Sequence, residues 1–181
     1  MTRNLTYRIR AAAPEDLGVL ESLIARSARG LTADAYTPRQ VEAALHGTFG
    51  VDSQLIRDGT YFVAELDGHV VGCGGWSRRR TMFGGDTHGD RDAAELDPKQ
   101  DAARIRAFFI DPDHARKGIG RAILERCELE ARRCGFCRLE LMAMLSGVEF
   151  YRAHGYECGT PVRCELEPGL SIEFLPMSKP V

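Results

Sequence analysis

The chain has 181 residues, 44% of them hydrophobic and 28% charged, with a formal net charge of −2. A chain of that size and composition folds as one domain around a real core, which excludes disorder as its main state. It has no basic excess to hold a phosphate backbone and no apolar run near the ~18 residues of a membrane span, so neither a nucleic-acid nor a membrane partner is expected. Arg3, Arg8 and Arg10 have no apolar stretch between them, so no secretory leader is expected and the cytoplasm is the default compartment.

Tyr7 to Arg10 predicts a first strand. Pro14-Glu-Asp opens a helix: proline suits the first turn, and the acids suit the positive end of the dipole. Leu17, Leu20, Leu23 and Ile24 are its apolar stripe, and Gly30 ends it. Thr37 and Gln40 have the spacing of a capping box for a second helix carrying Val41, Ala44 and Leu45. The period then changes. Tyr61–Leu66 and His69–Trp76 flank Asp67-Gly68, a hairpin signal. Residues 77–101 form a long polar loop opened by Arg78, Arg79 and Arg80, which read as a solvated strand end.

Ala103–Ile110 is a further strand, stopped by Asp111-Pro112. A glycine turn follows, then a helix to about Cys134 whose apolar face carries Ile119, Ala122, Ile123, Cys127 and Ala131. Arg121 with Glu125, and Glu128 with Arg132, are opposite charges four apart on its wet face. Arg138–Met142 is the next strand, parallel to Ala103–Ile110 through a right-handed crossover. A short helix from Val148 to His154 and two weaker strands around Pro168-Gly169 complete one α/β domain spanning 1–181.

Of six cysteines, Cys134 and Cys137 have the CxxC spacing. A second such pair or a histidine pair is missing, so no metal is expected; they read as small buried thiols around the helix-stopping Gly135.

The most informative segment is Asp111 to Ala122. It sets Gly118 and Gly120 between a strand end and a helix start, with Arg116, Lys117 and Arg121 around them. A helix N-terminus offers unpaired amides and about half a positive charge, so a pyrophosphate is the expected guest. The Walker pattern fails because Arg121 and Ala122 follow Gly120; the dinucleotide pattern fails because Ile123 stands where a third glycine belongs.

Phe108–Pro112, Ala115–Leu124 and Phe150–Tyr156 together resemble the GNAT family of N-acetyltransferases, and the element order matches over most of the chain. The resemblance implies an α/β fold of the α+β type: three layers, a mixed and mostly antiparallel central sheet, one parallel splayed strand pair, and helices on both faces. It implies an acyltransferase that moves the acetyl group of acetyl-CoA to a primary amine, with a small molecule as the first expectation. Acetylation of a protein N-terminus or lysine is one alternative, and a non-catalytic acyl-CoA-binding module is another. The backbone of Arg116, Lys117, Gly118, Ile119, Gly120 and Arg121 is implied to hold the pyrophosphate. The main chain of Phe108, Phe109 and Ile110 is implied to pair with the pantetheine arm. Tyr151 matches the position that protonates the departing thiolate, and a homodimer accords with family habit.

The sequence departs from the family pattern in three places. Ala115 stands where Gln or Arg is usual, and Met144 stands near the place of a polar Asn. The strand before the turn lacks the common glutamate, which leaves Glu65, Glu140, His114 or a water as the base. Acceptor specificity is expected from the segments 29–37 (Arg29, Asp34, Tyr36) and 77–101, with Trp76 as a candidate pocket wall.

Overall fold

The computed structural model describes residues 7–89 and 91–181; Arg3 lies outside them. The strands are β1 (Arg8–Ala11), β2 (Tyr61–Leu66), β3 (His69–Ser77), β4 (Ala103–Ile110), β5 (Arg138–Met144), β6 (Glu157–Cys158), β7 (Val162–Glu167) and β8 (Leu170–Pro180). The α-helices are α1 (Leu17–Leu31), α2 (Pro38–Leu45), α3 (Ser53–Arg57), α4 (Ile119–Arg133) and α5 (Val148–Ala153). The sheet runs β1-β2-β3-β4-β5-β8-β6, with β7 paired to β8. Its pairs are antiparallel except β4 with β5. The expected mixed, mostly antiparallel sheet is therefore present.

Two apolar clusters sandwich the sheet. Ile119, Ile123, Leu124, Cys127 and Ala131 of α4 pack on one face with Val148 and Tyr151 of α5. Leu20, Leu23, Ile24 and Ala28 of α1 and Val41 and Ala44 of α2 pack on the other. The capping box at Thr37 and Gln40 forms as its spacing predicts. Pro14–Asp16 starts with a 3-10 turn before α1 takes over. That turn is locked by Arg10, whose guanidinium grips Asp16 at 2.7 Å and holds its carboxyl below the usual range.

Several local readings need correction. Glu128 is not on a wet face: it is 5% exposed, and Lys179 Nζ and the Tyr156 hydroxyl donate to it at 3.0 and 3.1 Å. A lysine brought in from β8, remote in sequence, outbids the i+4 arginine, whose nearest approach is 3.8 Å. Cys134 and Cys137 are exposed, because the α4–β5 turn faces solvent; Cys73 and Cys127 are the buried thiols. Trp76 is 2% exposed and stacks edge-on with Phe136 in the core. Arg79 is no free strand end; it grips Asp58 through two nitrogens at 2.7 and 2.8 Å. The short α3 and β6 carry too few periodic residues to be seen in sequence.

Candidate active site

The β4–β5 pairing stops almost as it starts. Only Ala103 with Leu139 and Arg104 with Glu140 are in register, and beyond them the two strands part. A bulge in β4 coincides with the separation. Gly75 faces Arg106 and Cys73 faces Phe109, so Gly74 alone opposes both Ala107 and Phe108. Ala107 takes φ 55, a conformation that a non-glycine residue adopts only when its surroundings insist. Here the buried Tyr61 hydroxyl and Cys73 thiol turn to its carbonyl, at 3.3 and 3.7 Å.

Between the parted strands lies a cavity of about 750 Å³. Its wall on the side of the glycine turn contains Phe108, Phe109, Ile110, Arg116, Gly118, Ile119, Gly120 and Arg121, together with Tyr151. The structure thus brings together the residues singled out in sequence, with one exception. Lys117 turns away, its ammonium donating to the Asp113 carbonyl at 2.8 Å.

The turn itself is strained in the way a close-approach loop requires. Gly118 takes φ 83 as the N-cap of α4, and Arg116 takes φ 60. The first bond of α4 runs from the Ala122 amide to the Gly118 carbonyl at 3.1 Å, so the amides of Ile119, Gly120 and Arg121 precede the hydrogen-bond ladder. The Tyr7 hydroxyl donates to that same carbonyl at 3.2 Å and ties the turn to the chain's start. The turn is held from the other side by Arg26 of α1, which reaches buried Asp111 at 2.5 Å. On the β4 edge, the Ile110 amide already donates to Ser27 Oγ at 3.1 Å.

Tyr151 is 8% exposed and packs edge-on against Phe108, Phe150 and Tyr156. Burial, and after it the neighbouring Cys127 thiol, raise its hydroxyl above the ordinary value, so it stays protonated through the neutral range. Of the base candidates, His114 alone lines the cavity. Glu65 is held by Arg10 at 2.9 Å, and Glu140 is held by Arg104 and Arg138.

The far end of the cavity was mostly hidden in sequence. From the segment 29–37 only Leu31 and Thr32 line it; Arg29 pairs with Glu42 instead, and the Tyr36 hydroxyl staples the Leu145 amide to the Glu173 carbonyl. From the long loop come Met82, Phe83 and Gly84. The rest of the wall includes Thr48–Gly50, Arg106, Met142, Met144 and Phe174, which no motif marked. Trp76, buried in the core, is not among the cavity's walls. An alternation signal along β8 would have placed Phe174 inward, but nothing local says what it faces.

A family model described as an acetyltransferase (GNAT) domain matches residues 57–158, more than half of the chain. The chain belongs to the GNAT acetyltransferase family. The GNAT fold extends beyond the matched segment. A GCN5-related N-acetyltransferase structure from Rhodopseudomonas palustris superposes with TM-score 0.72 at 22% identity, covering 97% of this chain and 96% of that one. The PaiA N-acetyltransferase of Thermoplasma acidophilum, solved with coenzyme A, gives 0.67 at 16% identity, covering 97% and 99%. The ribosomal-protein-S18-alanine N-acetyltransferase of Escherichia coli gives 0.60 at 16% identity, covering 97% and 94%. No curated protein matches the chain.

Proposed function

We propose that this GNAT protein is an acetyl-CoA-dependent N-acetyltransferase acting by direct attack of an amine on the thioester, with a small molecule as acceptor. One observation carries the reading: the strand pair parts over a cavity that has the glycine turn on one wall and a protonated tyrosine on another. The cavity's construction fits the cofactor. Amides at the α4 start and the positive φ of Gly118 leave room and donors for a pyrophosphate. Bound there, the thioester would supply the activated acetyl group.

The chain's own contribution is holding, orienting and proton supply. Arg116, Gly118, Ile119, Gly120 and Arg121 hold the anionic end. The bulged β4 edge at Phe108 and Phe109 orients the arm. Tyr151 offers a proton to the departing sulfur, a role worth on the order of 10²-fold in rate. An apolar far end walled by Phe49, Phe83 and Phe174 favours a small acceptor over an extended peptide.

Calorimetry with acetyl-CoA, CoA and ATP tests the first half. Micromolar binding of acetyl-CoA with ATP silent is expected, and silence from every CoA species would overturn the reading. The second half is tested by thiol release with Tyr151→Phe. Turnover should fall about 10²-fold or more while acetyl-CoA affinity holds. Unchanged turnover would remove Tyr151 from the mechanism.

A further inference from the structure

The acceptor end has a definite chemistry. Phe49, Phe83 and Phe174 meet there: Phe49 and Phe174 stand edge to face at 6.3 Å, and Phe83 and Phe174 tilt together at 5.4 Å. All three belong to or pack on the core cluster on the α1–α2 face of the sheet, opposite the cluster that holds Ile119 and Tyr151. Met142 and Met144 add polarisable walls. Rings and thioethers together make a slot for a flat apolar body.

Charge at this end is as informative as shape. Among the described residues, the one carboxylate lining the cavity is Glu149, whose side chain is 82% exposed and paired to Arg152 at 2.7 Å. The charged group built into the wall is a cation. Arg106 has a side chain 3% exposed, with its Nη2 on the Gly84 carbonyl at 2.6 Å and its Nε without a hydrogen-bond partner. Its counter-ion, Asp52, is fully buried behind it, bound also to Arg91 at 2.7 Å. Asp86, the other acid near Arg106, is exposed and takes the Ser53 amide at 3.1 Å. An ammonium entering this end would shed water and find no carboxylate on the wall, since Asp52 lies behind it and is already paired to Arg106 and Arg91.

The missing base points the same way. An aliphatic amine must lose a proton before it attacks, and the strand along the cavity, Ala103–Ile110, carries no acid. Glu65 and Glu140 are occupied elsewhere, and His114, the one candidate on the cavity wall, sits on the turn after β4 beside the Asp111 carboxylate at 3.7 Å, away from the three rings. An amine that is already neutral at pH 7 needs no such base.

We propose that the acceptor is an aromatic amine, neutral at physiological pH, whose ring seats among Phe49, Phe83 and Phe174. The inference rests on the acetyltransferase reading above. The nitrogen lone pair forms the new N–C bond, and the C–S bond breaks with its electrons going to sulfur. The nitrogen gives one proton to water, and Tyr151 gives one to the thiolate and regains it from solvent. Products are the anilide and free CoA.

The test follows thiol release by the full chain with acetyl-CoA and matched acceptors: 4-ethylaniline, 4-methylbenzylamine, spermidine and a peptide with a free N-terminus. At pH 7.5, kcat/KM for 4-ethylaniline should exceed that for 4-methylbenzylamine by about tenfold or more, since the benzylamine is almost wholly protonated. The aniline rate should be flat from about pH 7 to 9, whereas a benzylamine rate would rise roughly tenfold per unit. Phe83→Ala, at a half-buried loop position, should raise KM for the aniline about tenfold with acetyl-CoA affinity and melting temperature close to wild type. A benzylamine, polyamine or peptide rate equal to or above the aniline's overturns the assignment, as does an aniline rate that climbs with pH. Thiol release from none of the four, with acetyl-CoA bound, overturns it too and leaves cofactor binding standing. Failure of acetyl-CoA to bind overturns the parent reading instead.

Discussion

The two ends of the cavity are built in opposite ways. The end we assign to the cofactor is assembled from near neighbours in sequence: β4, its turn, and the first residues of α4, with α5 alongside. The end we assign to the acceptor is assembled from segments scattered over the chain: the end of α1, the loop after α2, the long loop after β3, β5 and β8. A contiguous stretch preserves its geometry through local rules of turn and helix. A scattered one depends on long-range anchors. The anchor here is ionic and buried: Asp52 caps α3 through the Gln54 amide at 3.0 Å and binds Arg91 and Arg106. Arg91 in turn holds the carbonyls of Gly84 and Gly85 at 3.1 and 2.8 Å, which fixes the segment carrying Phe83.

That contrast breaks most visibly at Asp52. Removing one partner of a buried ion pair leaves the other charge uncompensated, at a cost of about 3–5 kcal/mol. Asp52→Ala should therefore lower the unfolding free energy from denaturant melts by that amount and raise acceptor KM. Below its melting temperature the variant should still bind acetyl-CoA as the wild type does. A matched loss of acetyl-CoA affinity would mean that the two ends are one unit.

A smaller effect probes the other end. Gly118 sits at φ 83, and a Cβ there would meet only the Tyr7 hydroxyl, at 3.7 Å. Space is available; the conformation is what an L side chain resists, by about 1–2 kcal/mol. Gly118→Ala should cost about that much stability and weaken acetyl-CoA binding, with acceptor KM unmoved. Calorimetry and acceptor titration separate the two, and an acceptor effect without a cofactor effect would reverse the assignment of the ends.

The same contrast explains what was legible in the sequence. The Gly118 and Gly120 turn and the strand before it follow local spacing and could be read from the sequence alone, whereas Tyr151 was named through the family resemblance. The hairpin around Asp67-Gly68 and the capping box at Thr37 were legible for the same reason. Phe49, Phe83 and Phe174 were not, because each is an unremarkable aromatic until the sheet order brings β8 beside β5. Glu128 was misread because helical spacing named Arg132 as its partner, whereas Lys179 comes from the last strand. The β4 bulge also left no mark: Ala107 is a residue that sequence rules place in regular strand.

The smallest effect concerns how the long loop is started. Asp58 lies at the C-terminal end of α3, and its carboxylate takes two bonds from Arg79, which hold it below the usual carboxylate range. Its side chain is 6% exposed against 20% for Arg79, so the pair is better shielded than a surface bridge and contributes about 1 kcal/mol. Because the folded value is depressed, that contribution is complete above the unfolded value near 3.9. It is lost as pH falls through the folded value. Wild-type denaturant midpoints should therefore drop more steeply between about pH 5 and pH 2.5 than those of Asp58→Asn, which has no carboxylate to protonate. The two curves should converge at the acid end. If they stayed parallel throughout, the Asp58–Arg79 contact would contribute nothing to holding the loop, and Asp52 alone would anchor the acceptor wall.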